Sequence, residues 1–206
     1  MLKTEFSLDV KSACEVGGAS FITTSGAYVG IITSARTYES RNGAQMLDID
    51  FESNENERAH ISMCIYDKEG NKTFLRKILD SVMYICKAKN LSAEQRLYKD
   101  RQGREQSGYF LVDIMNKPVG LVIQAGPEEY LVNGEIKTMI RLSLLTPFDP
   151  QTRKTANELN KNLDAKAVDA KLKNLKDKPL KKLPQTQTVQ QFEQSPSSAS
   201  YDDIPF

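Results

Sequence analysis

The sequence predicts a mainly β domain with one central helix over about residues 1 to 150, followed by a tail with no compact fold. Three observations carry this. Apolar residues alternate with period two through the first third of the chain, change to steps of three and four over about 72 to 89, and then return to strand-like runs. The segment Tyr28 to Tyr38 is long for a strand, rich in β-branched residues, and interrupted by Gly30, as where a barrel strand bends. All eleven glycines lie between Gly17 and Gly134, and large apolar residues thin out after Pro150.

Taken in order, residues 1 to 25 alternate loosely, with Phe6, Leu8 and Val10 on one side, and read as a short strand or a strapping arm. The strand from Tyr28 presents Tyr28, Ile32, Arg36 and Tyr38 on one face. Asn42-Gly43 is a hairpin signal, and the chain returns as Met46 to Phe51 with Leu47, Ile49 and Phe51 inward and Asp48 and Asp50 outward. A third strand, His60 to Tyr66, buries Ile61, Met63 and Ile65. From about Lys72 to Lys89 the apolar residues mark an amphipathic helix, with Lys87 and Lys89 at the negative end of its dipole and Asn90 suited to a left-handed cap.

Residues 90 to 108 read as a long polar excursion: from Lys87 to Arg104 there are six basic residues against two acidic. Three apolar runs follow, Tyr109 to Ile114, Val119 to Gln124 and Ile136 to Leu145, with turns expected at Gly126-Pro127 and Asn133-Gly134. Three strands, a helix and further strands in this length fit the OB-fold, a five-stranded Greek-key barrel with a helix between its third and fourth strands. The competing arrangement is a helix on an open sheet.

Past Pro150 the chain reads as a basic, partly helical and then disordered linker over residues 151 to 200. Leu159, Leu163, Leu172 and Leu175 form a thin stripe as far as about 176, and Pro, Gln, Thr and Ser dominate from Lys178. A coil from Asp177 to Ser200 spans roughly 27 Å root-mean-square. Charge is balanced, with a net of +1, so any polyanion must meet a local basic surface. Cys14, Cys64 and Cys86 are widely spaced and suggest a reducing, cytoplasmic setting. With no apolar run near 18 residues, no membrane span is expected. No cofactor or metal is expected: His60 and Cys64 share a strand face without closing a ligand loop, and no catalytic signature surrounds the single histidine. Asp48 and Asp50 as ligands of a Mg²⁺-dependent nuclease are outweighed by their reading as solvated strand residues.

The chain closes with Tyr201-Asp202-Asp203-Ile204-Pro205-Phe206. An apolar ring beside a terminal carboxylate and two acids is a peptide suited to capture: a pocket takes Phe206, and cations pair Asp202, Asp203 and the terminus. Ile204 adds apolar contact, and Pro205 limits the conformations lost on docking. This ending resembles the protein-recruiting tip of bacterial and bacteriophage single-stranded DNA-binding proteins. Tyr201 stands where that family usually has a third acid, and the chain has no Trp, on which the bacterial proteins commonly stack bases.

The resemblance implies a non-enzymatic protein, phage-encoded, that coats single-stranded DNA without sequence preference in replication, recombination and repair. Its tip, residues 201 to 206, would recruit host DNA-processing enzymes in the bacterial cytoplasm. Such binding needs cations along the phosphates and aromatic faces for the bases. Arg36 and Arg41 flank Tyr38, Lys68 and Lys72 follow Tyr66, and Lys99, Arg101 and Arg104 follow Tyr98, with Tyr109 and Tyr28 as further platforms. Outward Asp48 and Asp50 oppose phosphate, so either the groove favours the region of Tyr38 and Tyr98 or the strand register differs by one. The competing reading is an interaction protein that binds no DNA and uses the tip to compete for host enzymes.

Overall fold

The computed structural model describes residues 20–100 and 103–183. It is mainly β. The strands are β1 (Ser20–Phe21), β2 (Gly26–Glu39), β3 (Gln45–Ser53), β4 (Glu57–Tyr66), β5 (Ala93–Lys99), β6 (Glu105–Leu111), β7 (Pro118–Val132) and β8 (Glu135–Phe148). The helices are α1 (Phe74–Ile85), α2 (Ala156–Asn160) and α3 (Ala167–Asn174).

One sheet holds these eight strands, six of them in the order β1-β4-β3-β2-β6-β5, with β7 and β8 on a branch at β2. Gly26 to Ile31 of β2 pair with β7, Arg36 and Thr37 pair with β6, and β3 runs along the other edge from Gly30 to Glu39. Among the described residues, β8 pairs with β7 alone. It borders β4 across a cavity of about 230 Å³ lined by His60, Ser62 and Met139 to Leu142, and no ladder joins the two strands among the described residues.

Period-two patterning sets the core. Leu47, Ile49, Phe51, Ile61, Met63 and Ile65 are all buried, as their alternation predicts. Ile78, Leu79, Val82 and Ile85 of α1 pack into the same core. β7 is apolar on both sides for a different reason: Leu121 and Ile123 face this core, while Val122 joins Phe148 and Val168 of α3 in a second cluster.

Local chemistry explains where several elements depart from the sequence reading. In β2 the register against β3 slips between Ile32 and Ser34. Ile32 therefore enters the core, whereas Arg36 and Tyr38 face outward, and the four residues expected on one face divide. The bulge lies just beyond Gly30. The reason for glycine at Gly30 is close approach: a Cβ there would lie 2.0 Å from the Glu52 carbonyl oxygen. Helix α1 starts at its Thr73 cap. It ends at Cys86, with Lys87 and not Asn90 in the left-handed conformation (φ 55°). The amides of Lys87 and Ala88 reach back to Tyr84 and Met83, the Schellman pattern.

The expected excursion at 90 to 108 is instead the β5-β6 hairpin, joined to β2 through Tyr109 and Phe110. The apolar run from Tyr109 ends in a single helical turn, Val112–Ile114. Asn133 and Gly134 both have positive φ and turn β7 into β8 as expected. Gly126-Pro127, however, lies inside β7. Pro127 is tolerated there because its backbone faces away from β8: its carbonyl accepts the Lys181 amide at 2.9 Å.

The chain stays on the sheet well beyond Pro150. Glu158 clamps this segment. Its Oε2 accepts the Thr155 amide and its Oε1 the amides of Lys166 and Ala167, each at 2.8 Å. Burial opposes its ionisation, but these donors outweigh that and hold its pKa down to about 2. Residues 178–183 then run along β7: the Lys178 amide donates to Ala125, and Lys181 Nζ meets Glu128 at 2.5 Å. The remainder of the expected linker, the tip from Tyr201 to Phe206, the first nineteen residues and Arg101 lie outside the described residues.

Candidate nucleic-acid interface

The outward face of β2, β3 and β4 is ordered by register. Arg36, Asp48 and Ser62 lie side by side, as do Ser34, Asp50 and His60. Arg36 is the hub. Its Nη2 donates to Asp48 Oδ2 at 2.8 Å, its Nη1 donates to the Tyr98 hydroxyl, and its guanidinium carbon lies 5.1 Å from the Tyr38 ring centroid and 4.8 Å from that of Tyr98. Tyr98 also meets Phe110 edge-on at 5.8 Å. Gly108 permits this, since a Cβ there would sit 3.0 Å from the Tyr98 ring.

Asp48 is buried. Ser62 Oγ donates to its Oδ1, and the Tyr38 hydroxyl reaches the same oxygen at 3.4 Å. The register expected for β3 is correct, and Asp48 is paired with the Arg36 charge and hydrogen-bonded by two hydroxyls. Asp50 is exposed and 2.7 Å from His60 Nδ1. Among the described residues, no group of three or more metal-ligating side chains comes together.

Two concavities flank this cluster. The first, of about 580 Å³, is bordered by Tyr38, Tyr66, Lys68 and Tyr109, with Gly43 and Gly70 from the two neighbouring turns. The second, of about 540 Å³, is bordered by Arg36, Tyr98 and Lys99, and also by Asp50, His60 and Asp100. The structure thus brings seven of the expected residues to two hollows, the first on the Thr37-Tyr109 side of the β2-β6 pair and the second on its Arg36-Phe110 side. Their exposure differs. Tyr109 is 53% and Tyr38 37% exposed, with ring area available for a base. Tyr66 packs against the core, its hydroxyl 3.4 Å from Arg76 Nε, and Tyr98 is held in the Arg36 cluster.

The remaining expected residues lie around this area or away from it. Arg41 is exposed at the tip of the β2-β3 turn, and Lys72 is exposed beside the start of α1. Arg104 pairs with Asp100 at 2.9 Å in the β5-β6 turn. Tyr28 packs on the core and donates its hydroxyl proton to the Thr24 carbonyl at 2.8 Å, away from the hollows.

The sequence reading missed Phe21. It is 73% exposed and borders a third hollow with His60 and Arg58, which β1 creates by pairing parallel to β4. Two residues of strand give no periodic signal, and only the pairing reveals them. Exposed Met139 and Ile140 were likewise hidden within an apolar run.

No protein-family model matches the chain, and no curated protein matches it significantly.

Proposed function

We propose that this chain is a non-enzymatic, phage-encoded protein that binds single-stranded DNA without sequence preference. Its folded part is a variant OB barrel, and its C-terminal tip recruits host replication, recombination and repair proteins. The observation that carries the reading is that exposed Tyr38 and Tyr109, which come from opposite faces of the β2-β6 pair, border one hollow with Lys68, while the Arg36-Tyr98 cluster and Lys99 border a second. Aromatic faces for bases beside cations for phosphates are what a sequence-tolerant single-strand groove requires. Strand pairing supports the barrel: β2 is shared between β3 and β7, α1 falls between β4 and β7, and β8 returns to border β4.

The tip part of the proposal rests on the residues Asp202 to Phe206 themselves. Their acids, proline and terminal ring suit a cationic pocket on a partner.

Fluorescence titration with oligo(dT) tests the first part. Affinity should fall with added salt with a logarithmic slope of about −0.7 per neutralised phosphate. Absence of binding at low salt rejects it. Deleting residues 202–206 should leave oligo(dT) affinity in place while abolishing association with a host enzyme that reads the host's own tail of this type. The acids Asp50 and Asp100 in the second hollow favour the competing reading, a tip-bearing protein that binds no DNA. The same two measurements separate the readings, since that protein would bind the enzyme and ignore oligo(dT).

A further inference from the structure

We propose that a second copy of this chain pairs with it, antiparallel and about a two-fold axis at Thr138, along the outer edge of β8. Residues Glu135 to Arg141 are all exposed, and no strand pairs with this edge among the described residues; at Met139 to Arg141 it borders the hollow that separates it from β4. An open edge of this kind is a template for another strand.

The direction of the backbone groups follows from the opposite side of the hairpin. Ala125, Pro127 and Glu129 of β7 turn their backbone groups to the 178–181 segment, as the bonds from Lys178 to Ala125, from Lys181 to Pro127 and from Glu129 to Lys181 require. Their register partners Leu142, Ile140 and Thr138 therefore occupy non-hydrogen-bonded positions against β7. Thr138 and Ile140, and by the same alternation Ile136, point N–H and C=O outward from the free edge.

A two-fold axis at Thr138 uses all three. Thr138 meets its own copy, Ile136 meets Ile140, Lys137 meets Met139, and Glu135 meets Arg141. Every residue then faces a compatible one, and each opposite-charge or apolar pair occurs twice, as an isologous contact demands. Moving the axis one residue either way destroys this match. An axis at Lys137 sets that lysine against itself, and an axis at Met139 sets Lys137 against Arg141; both also centre on a residue whose backbone already bonds to β7. Glu135 and Arg141 contact Lys137 and Glu128 within the chain, at 3.8 and 3.2 Å, but their side chains remain 76% and 62% exposed. Exposed Ile136, Met139 and Ile140 supply the apolar contact.

Sedimentation equilibrium of the full chain, without DNA, over micromolar to millimolar concentrations tests the pairing. The wild type should show reversible dimerisation. Glu135→Arg and Arg141→Glu should each raise the dimer dissociation constant by about tenfold, because like charges then oppose twice. The double swap should return it to near the wild-type value. Thr138→Pro should abolish the dimer and leave the fold intact, since the lost N–H points outward, as at Pro127. A wild type that stays monomeric throughout, a double swap no tighter than the single changes, or a dimer unaffected by Thr138→Pro each overturns the proposal. None of these outcomes depends on whether the protein binds DNA.

Discussion

Arg36 Nη2 donates to Asp48 Oδ2 at 2.8 Å, and the two residues are direct register partners across β2 and β3. This pair turns a carboxylate that would repel phosphate into the anchor of an arginine standing between two tyrosine rings. It also makes the cluster sensitive to loss of either partner, because what remains is a half-buried group without its counter-charge.

Asp48→Ala should therefore destabilise the protein by about 2–3 kcal/mol, since it strips the partner from Arg36, Ser62 and the Tyr38 hydroxyl together. Urea denaturation followed by circular dichroism measures it. A change within a few tenths of a kcal/mol would show that the cluster is solvated and not cohesive.

Tyr38→Ala and Tyr109→Ala should each weaken oligo(dT) binding by about 1–3 kcal/mol, the range for one base stacked on one ring, with little loss of stability for Tyr109→Ala and the added loss of the Arg36 and Asp48 contacts for Tyr38→Ala. Tyr66→Ala should behave in the opposite way, because its ring packs on the core. Thermal melts beside fluorescence titrations distinguish the two classes.

Acid should loosen the segment after Pro150. Glu158 has its folded pKa lowered from the ordinary 4.5 to about 2, so the stability its ionised form contributes is complete above about pH 4.5 and is lost as pH falls through 2. Protection of the Lys166 and Ala167 amides from hydrogen exchange, relative to their intrinsic exchange rate at each pH, should fall over that window. In Glu158→Gln the protection at these sites should be lowered at neutral pH and should vary much less with acid.

Gly126→Ala should displace the 178–183 segment from β7, since a Cβ at that position would lie 2.6 Å from Lys178 Cβ. Proteolysis between Lys178 and Leu183 should accelerate while the β7-β8 register, followed by backbone chemical shifts, is kept. Unchanged cleavage would mean that the strap accommodates a methyl group by sliding.

Locally encoded features are legible in the amino-acid order alone. Alternation in β3 and β4, the stripe of α1 and the Asn133-Gly134 turn each follow from a period or a backbone preference confined to a few consecutive residues. The clustering of Arg36, Tyr38, Tyr66, Lys68, Tyr98, Lys99 and Tyr109 is legible as interleaved residue types, although not as geometry. Three things were decided only by tertiary contact. The bulge between Ile32 and Ser34, which sends Ile32 inward and Arg36 outward, depends on how β3 closes against β2. The Gly126-Pro127 pair lies within a strand and not in a turn because Pro127 points its backbone away from β8, where residues 178–183, some fifty positions away, supply the Lys181 amide that its carbonyl accepts. Asp48 is paired instead of solvated because register, a property of two strands, sets it opposite Arg36. The sequence by itself thus determined β2, β3, β4 and the central helix, together with the residue types available for a polyanion, but not β1, the β5-β6 hairpin or the unbroken span of β7. Which side chains share a hollow, and which charges neutralise each other, depended on contacts between segments distant in the chain, on which local periodicity carries no information.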